Sequence, residues 1–139
     1  MGKQPTEFSD LSVEAGGIRL NTRRRDGQGP TLLLLHGIGG ALERWAPLLA
    51  ALPDRDVLMI DAPGAGRSQV PTRPIRVPVL ADRIVEAAHV QGIETADVLG
   101  FSLGGTTAQE IAHRHPQFVR RLVLVVTMSG AWFRPPRHG

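Results

Sequence analysis

A serine between two glycines is the residue of this chain best suited to chemistry. Gly100, Ser102 and Gly104 form the spacing G-x-S-x-G, between the apolar run 96–101 and a segment with helical periodicity. Where a strand turns this sharply into a helix, glycines two residues before and after the serine leave space in which side chains would collide. The hydroxyl then points away from the end of the sheet, where it can attack an acyl carbon. The pattern predicts that Ser102 is a nucleophile at a strained strand-to-helix turn.

Two backbone amides could stabilise the negative charge that such an attack creates on a substrate oxygen. The N–H of Leu103 opens the helix after the serine, where the helix dipole favours negative charge. His36, Gly37 and Ile38 follow the apolar run 31–35, and the glycine-rich turn HGIGG can direct the N–H of Ile38 to the same point. We predict that Ile38 and Leu103 form an oxyanion hole. We interpret His36 as a structural residue with a hydrogen-bonded side chain.

A third glycine-rich turn follows the apolar run 56–61. Asp61, Gly64, Gly66 and Ser68 belong to the stretch DAPGAGRS. This stretch lacks the G-x-G-x-x-G and Gly-Lys-Ser/Thr patterns of nucleotide-binding loops, and it does not open directly into a helix. We therefore predict a structural turn in which Asp61 and Ser68 hydrogen-bond to the loop backbone, and we predict no cofactor.

The elements that position these turns alternate between strands and helices. A hairpin is predicted over residues 7–24, with its turn at Gly16 and Gly17. Four short apolar runs then predict strands: TLLLLH, DVLMID, ADVLGF and RLVLVV. The segments that connect them have the apolar spacing of helices: ALERWAPLLAALP, VLADRIVEAAHVQG and SLGGTTAQEIAHRH. The order predicts an α/β fold with a parallel sheet of four strands over 31–127, helices on both faces, and an irregular tail at 128–139.

Composition excludes several classes of site. The chain has 139 residues, which suffices for one domain, and no cysteine. A disulfide, a thiolate metal site and a cysteine nucleophile are therefore excluded, and we predict no metal. Lys3 is the only lysine among 16 basic residues, the arginines are scattered, and 4% of residues are aromatic, so we predict no nucleic-acid partner. The sequence has no apolar run of the roughly 18–20 residues that span a membrane and no signal core, so we expect a cytoplasmic protein.

Together the three glycine-rich turns resemble the α/β-hydrolase fold family. The matching patterns are HG-x-G-G, D-x-P-G-x-G-x-S and G-x-S-x-G-G, each after a predicted strand. The resemblance covers nearly the whole chain and corresponds to the N-terminal half of a usual member. Serine at the third turn separates the chain from dehalogenases and epoxide hydrolases, which place aspartate there. Within the family it is most similar to intracellular polyhydroxyalkanoate depolymerases, and carboxylesterases, lipases and cofactor-free haloperoxidases are the alternatives.

The resemblance implies a serine hydrolase acting on carboxylic esters, with a small-molecule or polyester acyl substrate. In this family the catalytic acid and base follow the nucleophile along the chain. After Ser102 the sequence contains no Asp, Glu110 is about 12 Å along the next helix, and His113, His115 and His138 cannot readily reach the serine. We therefore expect a truncated hydrolase domain that is weak or inactive alone. The alternative is a catalytically inactive hydrolase-like domain that binds a small ligand or a partner chain.

The last predicted strand, RLVLVV, lies at an edge of the predicted sheet. An apolar edge strand is open to pairing with another chain or to aggregation. The sequence indicates no particular oligomeric state.

Overall fold

A computed structural model describes residues 8–36, 42–61, 68, 70, 72–73 and 75–125. Within them the strands are β1 (Ser9–Ala15), β2 (Ile18–Arg25), β3 (Gln28–Leu35), β4 (Arg55–Ile60), β5 (Ala96–Phe101) and β6 (Val119–Val125). The helices are a short 3-10 helix (Leu42–Trp45), α1 (Ala46–Ala51), α2 (Val77–Val90) and α3 (Leu103–Arg114). No helix in this part of the chain combines the length and the apolar composition that a membrane crossing requires. The predicted tail at 128–139 lies outside the described residues.

The six strands form one sheet in the order β1-β2-β4-β3-β5-β6. Strands β3 to β6 are parallel, which confirms the predicted four-stranded parallel sheet. β1 and β2 form the predicted hairpin, and both residues of its turn have a left-handed backbone, with φ +56° at Gly16 and +85° at Gly17. β2 also pairs antiparallel with β4, so the hairpin extends the parallel sheet on the side of β4.

Helices cover both faces of the sheet, as predicted. The apolar cluster around α1 consists of Leu32, Leu34, Trp45, Leu49, Val57 and Met59. The cluster on the other face is larger and joins the sheet to α2 and α3, with Leu33, Leu35, Leu58, Ile60 and Val98 from strands and Ile84, Val85, Ala108 and Ile111 from helices. Successive residues of a strand point to opposite faces. The uninterrupted apolar runs of β3 and β4 therefore supply both clusters.

The bounds of the elements differ from prediction where proline or long-range pairing decides them. The predicted helix over 41–53 is divided into the 3-10 helix and α1, with Pro47 in the first turn of α1, where its missing N–H costs no hydrogen bond. α2 begins at Val77 rather than Val79, with a proline in its first turn as well. β3 begins at Gln28 rather than Thr31, since Gln28 pairs with β4 across a bulge.

Candidate active site

Ser102 lies between β5 and α3 with a backbone that side-chain-bearing residues rarely adopt. Its φ is +58° and its ψ is −121°, and among the described residues it is the only non-glycine residue with positive φ. Phe101 ends β5 and Leu103 begins α3. A backbone of this kind costs of order 1–3 kcal/mol and persists only where the surrounding structure imposes it. The structure thus has a strained strand-to-helix turn at the serine, and the role of that serine as nucleophile stays a prediction.

Two glycines and a hydrogen bond to β6 hold this turn. A Cβ atom at Gly100 would lie 2.4 Å from the carbonyl oxygen of Gly104, and one at Gly104 would lie 2.2 Å from the carbonyl oxygen of Leu35. Only glycine permits these approaches. The N–H of Ser102 donates to the carbonyl of Val125 at 3.1 Å. The turn is therefore held by β3 on one side of β5 and by β6 on the other.

The residues predicted to form the oxyanion hole are described only in part. Ser102 and Leu103 are both exposed, and the N–H of Leu103 belongs to the first turn of α3, whose amides have no partner within the helix. Leu35 pairs with Gly100 across the parallel strands β3 and β5, so the end of β3 lies beside the turn that carries Ser102. Gly37 and Ile38, which follow that end, lie outside the described residues.

A buried polar network occupies the same end of the sheet. Nε2 of His36 lies 3.4 Å from Oδ1 of Asp61, and these side chains are 2% and 3% exposed. Nδ2 of Asn21 donates to Oδ2 of Asp61 at 3.2 Å. The Ser68 hydroxyl donates to the Asp61 carbonyl at 2.7 Å and accepts the N–H of Asn21 at 2.8 Å. The network joins β2, the ends of β3 and β4, and the loop after β4, where Gly64 and Gly66 lie outside the described residues.

Sequence analysis did not identify Asn21 as a member of this network. Asn21 lies in β2 between two other buried residues, Leu20 and Thr22. A polar side chain buried inside a strand needs a hydrogen-bond partner, and this is the signal that could have pointed to it. The partner itself could not be named, because it depends on the pairing of β2 with β4.

The acidic and imidazole side chains that follow Ser102 on α3 lie away from it. Nε2 of His115, just past the end of α3, is 2.7 Å from Oδ1 of Asp82 on α2. Glu110 and His113 are about 10–15 Å along the helix from its first residue. That none of these residues is the acid or base of Ser102 stays a prediction. Within the described ranges, no three His, Asp or Glu side chains are placed to hold a metal ion, and His138 lies outside those ranges.

Comparison with known sequences shows the family of this chain. The sequence profile described as alpha/beta hydrolase fold matches residues 30–139. The chain belongs to the α/β-hydrolase fold family. It is 35% identical over 133 residues to a poly(3-hydroxyalkanoate) depolymerase of Ectopseudomonas oleovorans, an alignment that covers 95% of this chain and 47% of the depolymerase. It is 38% identical over 102 residues to a pyrrolizixenacetamide deacetylase of Xenorhabdus hominickii, covering 72% of this chain and 38% of the deacetylase.

Solved hydrolase structures share the fold. A bacterial membrane phospholipase A superposes with a TM-score of 0.81 at 30% sequence identity, over 92% of this chain and 42% of the phospholipase chain. The chain thus spans less than half the length of the relatives named here.

Proposed function

We propose that this chain is the nucleophile-bearing part of a serine hydrolase that acts on carboxylic esters. The observation that carries the proposal is the strained backbone of Ser102, with φ +58°. Glycine adopts such a backbone without steric cost. A serine there costs stability, and strain of this kind is typical of functional sites, where the side chain is needed in one orientation.

The mechanism that we propose assigns each group at the turn a role. The Ser102 hydroxyl attacks the acyl carbon of the ester, forming a C–O bond, and its proton passes to a general base. The N–H groups of Leu103 and Ile38 bind the oxygen that becomes negative in the tetrahedral intermediate. The intermediate then expels the alcohol, which takes up the proton from the base, and water hydrolyses the acyl-serine to the free acid and the Ser102 hydroxyl. In this family the base follows the nucleophile along the chain.

The substrate that we propose is a carboxylic ester, either a small molecule or a polyester of hydroxyalkanoates. This rests on the similarity to the depolymerase, which covers 95% of the chain. The ester bond is the feature that we infer; the length of the acyl chain is not part of the proposal. The cytoplasmic location stays a prediction from the sequence.

Labelling with a fluorophosphonate tests the role of Ser102. This probe forms a covalent bond with serine hydroxyls that act as nucleophiles. We expect slow addition of one phosphonyl group per chain, on the peptide that contains Ser102, because the sequence predicts no base for this serine in the chain. We expect none in Ser102→Ala. Ser12→Ala is the matched control, because Ser12 is an exposed serine of β1, and we expect it to react like the wild type.

Two results would contradict the proposal, provided that circular dichroism shows every variant to be folded. One is equal labelling of the wild type and Ser102→Ala. The other is a wild-type chain that does not react at all, which would favour the hydrolase-like binding domain.

A further inference from the structure

A closed ring of four hydrogen bonds joins Asn21 of β2 to Asp61, directly after β4, and to Ser68. The N–H of Asn21 donates to the Ser68 hydroxyl at 2.8 Å, and that hydroxyl donates to the Asp61 carbonyl at 2.7 Å. The N–H of Asp61 donates to the Asn21 carbonyl at 3.0 Å, and Nδ2 of Asn21 donates to Oδ2 of Asp61 at 3.2 Å. β2 therefore holds two residues that the sequence separates from it by a long stretch of chain.

The side chain of Asn21 contributes one bond of this ring that few residues could supply. Asn21 is the only asparagine of the chain, and it is 7% exposed. Asparagine is disfavoured inside strands, and a buried amide is costly unless it is hydrogen-bonded. The backbone bonds of the ring need no particular side chain at this position, since every residue except proline has the same N–H and carbonyl groups. The specific contribution of the asparagine is therefore the bond from Nδ2 to the Asp61 carboxylate.

The Asp61 carboxylate lies between Asn21 and His36. Its Oδ2 accepts from Asn21, and its Oδ1 is 3.4 Å from Nε2 of His36. An ionised carboxylate only accepts hydrogen bonds, so the nitrogen of His36 that faces it carries a proton. The bond from Asn21 limits rotation of the carboxylate and thereby sets the oxygen that His36 meets. His36 and Asp61 also have other partners, so we expect loss of this bond to shift the pair rather than to release it.

We propose that Asn21 is a positioning residue of the active site, which acts through Asp61 and His36 on the turn after β3. This rests on the proposed function, in which the N–H of Ile38, two residues after His36, binds the oxyanion. The end of β3 lies beside the turn that carries Ser102. A displacement of about 1 Å in an active site can cost roughly 10²-fold in rate, so a small shift of His36 is enough to weaken the oxyanion contact.

The kinetics of fluorophosphonate labelling test this role in the 139-residue chain. Asn21→Leu has a similar volume, keeps the backbone bonds and removes the donor to Asp61. The limiting rate at high probe concentration reports the chemical step, and the half-saturating concentration reports binding of the probe. We expect a limiting rate about tenfold lower, which is less than the roughly 10²–10³-fold cost of losing an oxyanion donor itself. We expect an unchanged half-saturating concentration.

Thr22→Val is the matched control, because it removes a buried hydroxyl from the same strand. Thr22 points to the opposite face of the sheet, where its hydroxyl donates to the Leu11 carbonyl at 2.9 Å and accepts from Gln91 at 3.1 Å. We expect lower stability in both variants and an unchanged labelling rate in Thr22→Val. Equal rates in the wild type and Asn21→Leu would overturn the proposal. Equal slowing in the two variants would also overturn it, since it would indicate a general loss of stability.

Nuclear magnetic resonance of the wild type tests the contact without any variant. Because Asn21 is the only asparagine, isotopic labelling of asparagine gives a single pair of side-chain amide signals. We expect one of these two protons to exchange slowly with water, because it is buried and bonded to Asp61. Fast exchange of both protons would overturn the proposal, and this result does not depend on the folding of a variant.

The imidazole N–H signal of His36 separates this inference from the proposed function. If the probe does not label the wild type, the proposed function fails, and the His36 signal still decides whether Asn21 positions the pair. We expect this signal to shift in Asn21→Leu and to stay unchanged in Thr22→Val. An unchanged His36 signal in Asn21→Leu would overturn the positioning role.

Discussion

The turn that carries Ser102 depends on two glycines, because side chains at these positions would clash with the neighbouring backbone. Gly100 and Gly104 have negative φ angles, since neither is among the positive-φ residues of the described chain, so an alanine would fit their backbone. Within α3 alanine is intrinsically favoured over glycine by about 1 kcal/mol. Space, and not backbone freedom, is therefore the reason for these glycines.

Gly104→Ala is expected to destabilise the protein in spite of its better helix propensity. Its Cβ would lie 2.2 Å from the Leu35 carbonyl oxygen, and backbone must move to relieve the clash. Overpacking of this kind costs roughly 1–3 kcal/mol in the free energy of unfolding, which urea denaturation measures.

Gly17→Ala is the matched control for that substitution. Gly17 has φ +85° and no atom within 4 Å of its added Cβ. Its cost is then the left-handed backbone alone, about 1–2 kcal/mol. A Gly104→Ala variant as stable as the wild type would contradict the close approach of α3 to β3.

At the scale of elements, a partly exposed cluster joins α2 to the end of α3. Nε and Nη2 of Arg114 donate to the two carboxylate oxygens of Asp82 at 2.9 and 2.8 Å, and His115 lies 2.7 Å from Oδ1. These contacts hold the pKa of Asp82 well below its usual range, and the hydrogen bond from Arg114 is the largest cause. A carboxyl whose pKa is lower in the folded chain stabilises it above the unfolded pKa of about 3.9, and this contribution is lost as the pH falls further.

Asp82→Asn is therefore expected to lower Tm at pH 7, and the difference from the wild type is expected to shrink below about pH 4. Added salt should reduce this Tm difference at pH 7, because the charged groups are partly exposed to solvent. Glu86→Gln, on the same helix with one 3.4 Å contact to Arg83, is the control and should show a smaller difference. A Tm difference for Asp82→Asn that is the same at pH 7 and pH 3 would contradict the account of this cluster.

The parts of the fold that were predictable are those that local patterns determine. The runs of β3, β4 and β5 were predictable because a strand buried on both faces is apolar throughout. β6 was predictable because its run is equally apolar, although its residues are exposed, and the hairpin because Gly16 and Gly17 favour its turn. The pairing of β2 with β4 was not predictable, since it joins residues such as Thr22 and Ile60 that are distant in sequence. The contacts of Asn21 and Asp61 depend on that pairing. The hydrogen bond from Ser102 to the Val125 carbonyl was not predictable either, because every residue has a backbone carbonyl.

At the scale of the whole molecule, β1 and β6 are the two edge strands among the described residues, and the last four residues of β6 are apolar on both faces. Leu122, Val123, Leu124 and Val125 are each 37–45% exposed. A long apolar edge favours pairing with a second chain. The Val125 carbonyl of this strand accepts the N–H of Ser102. The exposed edge is therefore hydrogen-bonded directly to the candidate active site.

Val123→Lys is expected to reduce self-association of the chain, because charged residues on an edge strand oppose pairing. Sedimentation velocity over a range of protein concentrations measures this. Val90→Lys is the matched control, since Val90 is 63% exposed at the end of α2 and is not part of the sheet. Self-association that is equal in the wild type and Val123→Lys would show that β6 is not the surface involved.

The formation of an acyl-enzyme at Ser102 is the central claim, and mass spectrometry of the chain mixed with a p-nitrophenyl ester tests it most directly. The sequence predicts no base for Ser102 in this chain. Loss of the base lowers turnover of a serine hydrolase by on the order of 10⁶, although oxyanion stabilisation and binding alone can leave about 10³–10⁴-fold over water. We therefore predict one acyl group on the peptide that contains Ser102, with turnover slow or undetectable, and no acyl group in Ser102→Ala. An acyl group on a different residue, or the same acylation in Ser102→Ala, would contradict the account.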